Sequence, residues 1–181
     1  MTEKKIQMVF FDAAGTLFDV RSSVGDSYAR FAAQYDKEVD AEAVQREFGA
    51  QFGRQPPLAF APELGRAERM QCEQDWWRNL VRDVFARFGE FPRFEEYFLE
   101  IFEYFRRAEA WKLFDDVLPT LTTLKARGLR LGLLSNFDTR LYDVLESLRL
   151  RAFFDAVYVS TEVGAAKPEA EIFQMALTQH H

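Results

Sequence analysis

Three polar residues that could do chemistry together each follow an apolar segment of the sequence. Asp12 ends the run over residues 5–11, Ser135 ends the segment over residues 129–135, and Lys167 lies in the loop after residues 154–160. A carboxylate can attack an electrophile, a hydroxyl can hold an oxygen of the bound group, and an ammonium can offset repulsion between the carboxylate and an anionic substrate. These residue types therefore indicate nucleophilic chemistry on an anionic substrate.

Each of these residues also has a purely structural interpretation. An Asp after a strand often caps a helix, Ser135-Asn136 is ordinary turn chemistry, and a Lys-Pro pair such as Lys167-Pro168 is common in surface loops. The order and spacing of the three together, rather than any one of them, favour a functional site.

The first strand and its turn are the clearest element. Residues 5–11 form a continuous apolar run, which is typical of a strand buried on both faces of a parallel sheet. Gly15 allows a tight turn after Asp12, and Thr16 can hydrogen-bond within that turn.

The chain alternates between strands and helices after residue 111. A helix ends at Gly128, strands follow over 129–135 and 154–160, and a last helix opens at Pro168. Ligands of such a sheet bind at the carboxyl ends of the strands. The three polar residues are therefore expected on one rim.

Residues 22–108 have a different, wholly helical pattern and carry most of the aromatic residues, which make up 15% of the chain. Rings at helical spacing are typical of core packing. Trp76 and Trp77 are adjacent, so one of them is expected nearer the surface or a cleft. The sequence predicts an α/β fold: a Rossmann-like parallel-sheet core formed by residues 1–18 and 110–181, and an α-helical domain over residues 19–109 inserted into it. Asp19 and Arg21 lie at the first junction.

The composition excludes several classes of protein. The net charge is −6 and no basic run dominates a stretch, so a nucleic-acid partner is not expected. The single cysteine, Cys72, cannot form a disulfide within one chain. No stretch has the length of a membrane span or of a secretory signal, so we expect a cytoplasmic protein without a membrane partner.

The motifs, taken together, resemble the haloacid dehalogenase superfamily, in the subfamily with a helical cap inserted after the first core strand. They read FFDAAGTLF around Asp12, LLSN over residues 133–136 and GAAKPEAEIF around Lys167. The resemblance implies that Asp12 is the nucleophile and forms an aspartyl-phosphate. It also implies that Mg²⁺ binds the Asp12 carboxylate and the backbone carbonyl of Ala14, and that the cap closes over the substrate.

The resemblance assigns the remaining site residues as well. Ser135 and Lys167 would hold the phosphoryl oxygens, Lys167 being counted with Asp12 as catalytic. Gly15, Thr16 and Asn136 would complete the binding site for a small phosphorylated substrate.

The sequence departs from the family pattern in two places. Ala14 stands where family phosphatases carry the Asp that protonates the leaving group, and general acid catalysis contributes roughly 10²–10⁴-fold. The chain also ends at MALTQHH, without the acidic fourth motif. We expect a C-terminally truncated core, weak Mg²⁺ binding, and an unpaired edge on the MVFF strand that allows a homodimer. His180 and His181 are interpreted as a cut point or tag rather than metal ligands.

Three functions remain open from the sequence. The first is a phosphatase-type hydrolase that acts through Asp12, with reduced or absent activity because of the two departures. The second is a non-catalytic binding protein that keeps the fold. The third, ranked below both, is a 2-haloacid dehalogenase, in which halide leaves without needing a proton.

Overall fold

Strands and helices alternate in the first and last parts of the chain, and helices fill the middle. The computed structural model describes residues 6–180, so the predicted strand start at residue 5 and the interpretation of His181 lie outside the described residues. The strands are β1 (Met8–Phe11), β2 (Phe18–Val20), β3 (Trp111–Leu113), β4 (Arg130–Ser135) and β5 (Ala156–Val159). The helices are α1 (Val24–Ala33), α2 (Ala41–Phe52), α3 (Arg66–Phe85), α4 (Phe94–Tyr104), α5 (Val117–Ala126), α6 (Arg140–Ser147), α7 (Ser160–Val163) and α8 (Ala170–Thr178).

A parallel sheet in the order β1-β4-β5 forms the centre of the core. Phe11 pairs with Leu133, and Ser135 pairs with Val159, so all three strands run in the same direction. Among the described residues β1 lies at one edge of this sheet, with β4 as its strand neighbour. The α/β fold with a parallel sheet is therefore confirmed.

Helices cover both faces of this sheet. The side chains of β4 point alternately to the two faces, so each face presents apolar residues that need to be buried. Leu131 and Leu133 pack in one cluster with residues of α5 and α6. Leu134 packs on the opposite face with Ile172 and Ala176 of α8. A strand buried on both faces needs apolar residues at every position, which explains the uninterrupted LGLL of β4.

The middle of the chain forms a helical domain with an aromatic core of its own. The helices α1, α2, α3 and α4 enclose Tyr28, Phe85, Tyr97 and Phe98, all buried. The rings contact one another in tilted and edge-to-face pairs, such as Phe85–Tyr97 with centroids 5.1 Å apart. Asp40 caps α2 by accepting a hydrogen bond from the Ala43 amide at 2.8 Å, as its sequence position predicts.

The junction between the two parts contains a feature that the sequence analysis missed. β2 and β3 pair antiparallel, with Phe18 opposite Leu113 and Val20 opposite Trp111. Each strand has only three residues, and the two are far apart in the sequence. The chain therefore enters and leaves the helical domain along one two-stranded ribbon.

Three helix boundaries also differ from the prediction. The last helix begins at Ala170 rather than at Pro168. The apolar spacing over residues 66–88 predicts one long helix, but the α-helix ends at Phe85 and continues as a single 3-10 turn over Ala86–Phe88. Pro92 is typical of a first helical turn, but the next helix begins at Phe94. No helix among residues 6–180 is both long enough and apolar enough to cross a bilayer.

Candidate functional site

Asp12 and Lys167 are in direct contact at the carboxyl ends of the strands. Lys167 Nζ lies 2.6 Å from Asp12 Oδ1, and the side chains are 23% and 42% exposed, respectively. The Ala13 amide also donates to Oδ1, at 2.8 Å. Both of these contacts hold the carboxylate at the tip of β1, and both fall on Oδ1. Oδ2 is thus the oxygen without a protein donor among residues 6–180.

Asn136 holds the loop that carries Lys167. Its Nδ2 donates to the Lys167 carbonyl at 2.8 Å, and its Oδ1 accepts from the Lys167 amide at 2.7 Å. A side-chain amide that bonds both backbone groups of one residue fixes the position of that residue relative to β4. Asn136, predicted to bind substrate, therefore acts in this structure as a positioning residue for Lys167.

Ser135 is the last residue of β4 and is buried, with 3% exposure. Phe11, the residue before Asp12, pairs with Leu133, so the end of β4 reaches two residues beyond the end of β1. The parallel register places Asp12 and Ser135 at the ends of neighbouring strands, as the predicted common rim requires.

The turn after Asp12 is built around Gly15. Gly15 has a φ of +81°, a left-handed conformation that an L side chain adopts only with strain, and its amide donates to the Phe18 carbonyl at 2.8 Å. The Thr16 amide donates to the Ala13 carbonyl at 3.2 Å. Gly15, Thr16 and Ala14 are all exposed.

The oxygen donors near Asp12 suit a hard cation, but they are few. Mg²⁺ is usually held by one or two carboxylates together with water and substrate phosphate. The Asp12 carboxylate and the Ala14 carbonyl could provide such a minimal set. Within residues 6–180, no group of three or more His, Cys, Asp or Glu side chains is placed to hold a metal.

An apolar cavity of about 200 Å³ adjoins this turn from the side of the helical domain. Ala14 and Asn136 belong both to its lining and to the polar site. Most of the remaining lining is aromatic or aliphatic, from Tyr28, Phe48, Phe52, Trp77, Phe98, Phe102, Phe105, Trp111 and Phe137 together with Val20, Val24, Val81 and Ile101. Its charged members are Asp19 and Arg140.

A buried carboxylate on α3 ties the helical domain to the core. Glu73 is 2% exposed, and it accepts hydrogen bonds from the Thr139 amide at 3.0 Å, the Thr139 hydroxyl at 2.5 Å and the Thr161 hydroxyl at 2.6 Å. Burial raises the pKa of Glu73, and the hydrogen bonds from Thr139 and Thr161 offset part of the rise. Arg69, one turn earlier, donates to the Thr161, Pro62 and Leu64 carbonyls.

A second buried carboxylate, that of Asp138, lies within the loop that follows β4. Asp138 is fully buried and accepts from Arg140 Nε at 2.9 Å and from a terminal guanidinium nitrogen of Arg140 at 2.6 Å. Trp77 Nε1 donates at 2.6 Å to Asp138 Oδ2, the oxygen that also accepts from the terminal guanidinium nitrogen. The Arg140 guanidinium lies over the Phe102 ring, 3.9 Å from its centroid. Of the two adjacent tryptophans, Trp77 is the one that lines the cavity, whereas Trp76 is buried.

Arg69, Glu73 and Asp138 were missed from the sequence, although one signal was present. Arg69, Glu73 and Trp77 recur every fourth residue and share a face of α3. No role was predicted for Arg69 or Glu73 on that face. Of the two junction residues considered, Asp19 lines the cavity, and Arg21 instead donates to the Glu109 carbonyl at 3.1 Å.

The chain belongs to the haloacid dehalogenase-like hydrolase family, whose model matches residues 6–180. It is similar to haloacid dehalogenase-like hydrolase domain-containing protein 3 of Danio rerio, with 33% identity over 95% of this chain and 71% of the relative. The human protein of the same name is 31% identical over 98% of this chain and 70% of the relative. The chain is thus a hydrolase of this superfamily by descent.

Solved structures show the same fold. A protein provisionally named β-phosphoglucomutase from Thermotoga maritima superposes with a TM-score of 0.69 at 20% identity, covering 96% of this chain and 70% of the other. The L-2-haloacid dehalogenase of Xanthobacter autotrophicus superposes with a TM-score of 0.65 at 24% identity, covering 96% and 64%. These likenesses concern the fold alone, since neighbours with different named activities share it.

Proposed function

We propose that the chain is a phosphatase-type hydrolase that uses Asp12 as its nucleophile on small phosphorylated molecules with good leaving groups. The observation that carries this proposal is the 2.6 Å contact between Lys167 Nζ and Asp12 Oδ1 at the ends of the parallel strands. An anionic phosphoryl group brought to a carboxylate needs a neighbouring cation, and Lys167 provides one.

The reaction has two steps. Asp12 Oδ2 attacks phosphorus, the bond between phosphorus and the leaving oxygen breaks, and the leaving group departs with the electron pair. Water then attacks the phosphorus of the aspartyl-phosphate, which releases inorganic phosphate and restores the carboxylate. The Ser135 hydroxyl and the Lys167 ammonium hold phosphoryl oxygens, while Asn136 keeps Lys167 in place.

Ala14 determines which leaving groups depart easily. It stands two residues after the nucleophile and has no proton to give, so an alkoxide would leave unassisted. A carboxylate leaves an acyl phosphate without needing a proton. Acyl phosphates are therefore the substrates least affected by the missing acid.

A magnesium ion would be held by the Asp12 carboxylate and the Ala14 carbonyl, with phosphate oxygens and water as further ligands. When bound, it would neutralise part of the phosphate charge. With one carboxylate among these donors, we expect binding to require high Mg²⁺ concentrations.

Hydrolysis of acetyl phosphate in the presence of Mg²⁺ tests the proposal. We expect turnover by the wild-type chain, a phosphoryl adduct on Asp12 detectable by mass spectrometry after acid quench, and loss of both in Asp12→Asn. Asp115→Asn, an exposed acid outside the site, is the matched control and should keep wild-type turnover.

Two other outcomes would favour other functions. Equal and negligible turnover by the wild-type chain and Asp12→Asn would contradict the proposal and favour a non-catalytic protein. Release of chloride from 2-chloropropionate without Mg²⁺, together with no turnover of acetyl phosphate, would favour a dehalogenase.

A further inference from the structure

We infer that the cavity between the sheet and the helical domain takes a neutral, apolar acyl group about the size of one aromatic ring, carried by the phosphorylated substrate. This inference rests on the proposed function, because it places the leaving group of that reaction. The first observation is the position of two lining residues: Ala14 lies two residues after Asp12, Asn136 directly follows Ser135, and both line the cavity. Asp12 and Lys167 themselves line a separate pocket with Leu134 and residues of α8.

The volume of the cavity sets the size of the occupant. It measures about 200 Å³. A dry apolar cavity of roughly 150 Å³ accepts benzene. A single ring with one short substituent therefore matches this space.

The lining sets the chemistry of the occupant. Aromatic and aliphatic side chains from both the helical domain and the core surround the space. Arg140 does not offer a free positive charge to a ligand, because Asp138 and the Phe102 carbonyl already accept from its guanidinium. The other charged member, Asp19, is exposed and acidic, so it disfavours a second anionic group on the substrate. A neutral hydrocarbon group is the occupant that these contacts favour.

The side chain at position 14 links the cavity to the reaction. An acid at this position would project a polar group where the lining now presents the Ala14 methyl. The alanine that lacks a proton donor thus also adds an apolar group to the cavity lining, two residues after Asp12. Benzoyl phosphate combines both consequences, since it has a carboxylate leaving group and one ring.

Comparison of benzoyl phosphate with acetyl phosphate tests this inference. The two leaving groups are carboxylates of similar acidity, so the ratio of kcat/KM reports mainly on the ring. We expect benzoyl phosphate to be preferred by at least about tenfold, the scale of discrimination that a hydrophobic pocket achieves. Phosphate release measured by ³¹P NMR follows both substrates.

A substitution that fills the cavity gives the most direct test. Val24 lines the cavity at the start of α1, and Val24→Phe should lower the benzoyl-to-acetyl ratio by about tenfold. The matched control is Val39→Phe, because Val39 packs against the same aromatic core without lining the cavity. It should keep the wild-type ratio.

A binding measurement on the wild-type chain covers the case in which Val24→Phe fails to fold. Phenylphosphonate should bind at least about tenfold more tightly than methylphosphonate by calorimetry with Mg²⁺ present. A kcat/KM ratio near one for benzoyl over acetyl phosphate, or equal affinity for the two phosphonates, overturns the inference. If acetyl phosphate is still turned over, the proposed function stands. Preferential binding of phenylphosphonate without turnover of either acyl phosphate supports the cavity assignment and contradicts the proposed function instead.

Discussion

Trp77 of the helical domain donates its indole N–H to Asp138 of the core at a distance of 2.6 Å. Asp138 lies three residues after Ser135 and is fully buried, and its other partner is the guanidinium of Arg140. The loop that follows β4 is thus anchored by the ion pair between Asp138 and Arg140, and Asp138 also contacts the helical domain through Trp77.

The ion pair and the indole bond should differ in their contribution to stability. Asp138→Asn leaves Arg140 buried without its counter-charge, so we expect a loss of about 3–5 kcal/mol in the free energy of unfolding. Trp77→Phe keeps most of the ring contact and removes one donor to a charged acceptor, which should cost about 1–3 kcal/mol. Urea unfolding followed by far-UV circular dichroism measures both. Equal losses in the two variants would contradict the distinction.

Glu73 should make stability depend on pH. Burial raises the pKa of Glu73 above its ordinary value of 4.5, so the folded chain retains a proton that the unfolded chain has lost. Its contribution to stability therefore falls as pH rises from 4.5 through the raised value in the folded state. Glu73→Gln removes this titration and can keep all three hydrogen bonds, since its amide accepts from Thr139 N–H and the Thr161 hydroxyl and donates to the Thr139 hydroxyl.

The melting temperature of Glu73→Gln relative to wild type should accordingly rise between pH 4.5 and pH 8. Glu63→Gln, at an exposed position, should show no such trend. A difference between Glu73→Gln and wild type that stays constant with pH would show that the Glu73 carboxyl is not perturbed.

Ala14→Asp should change the choice of leaving group. A carboxyl at this position supplies the proton that an alkoxide needs, so the ratio of kcat/KM for ethyl phosphate over acetyl phosphate should rise by about 10²–10⁴-fold. Ala14→Asn has nearly the same size but no proton to transfer, and it should not reproduce the rise. Phosphate release from the two substrates gives the ratio directly. An equal rise in both variants would assign the effect to shape rather than acid catalysis.

Two helical glycines should respond in opposite directions to replacement by alanine. A methyl group at Gly25 would lie 2.2 Å from the Ala41 carbonyl oxygen and 2.7 Å from Gln45 Cβ, so α1 and α2 would have to separate. Gly25→Ala should lose about 1–3 kcal/mol. Gly49 in α2 is exposed with no neighbour within 4 Å of such a methyl, and Gly49→Ala should gain about 0.5–1 kcal/mol. Urea unfolding of both variants checks the signs.

The parallel sheet and its rim could be predicted because they depend on local signals. A continuous apolar run such as MVFF or LGLL suits a strand buried on both faces, and the ends of parallel strands meet at one edge. That rule anticipates the contact between Asp12 and Lys167 although the residues are far apart in sequence. The aromatic spacing of α1 to α4 likewise follows from helical periodicity.

The contacts between the helical domain and the core could not be predicted, because they bury charged side chains of a type that is usually exposed. A Glu or Arg on a long helix is solvated in most proteins, and only its tertiary partners show otherwise. Glu73 is buried because Thr139, at the start of α6, and Thr161, in α7, supply hydroxyls from the core. β2 and β3 were missed for a related reason: a three-residue strand has too little periodicity to stand out, and its partner lies across the whole helical domain.

That short ribbon also has a consequence for protein engineering. Val20 faces Trp111 across the pair, and the Arg21 amide donates to the Ala110 carbonyl at 2.8 Å, so both ends of segment 21–110 emerge side by side. They are separated by one interstrand spacing, roughly 5 Å. A two-residue Asn-Gly turn spans such a gap. The helical domain is therefore inserted between two adjacent chain ends. A hairpin, or the equivalent segment of a relative, could replace it without changing the path of β2 and β3.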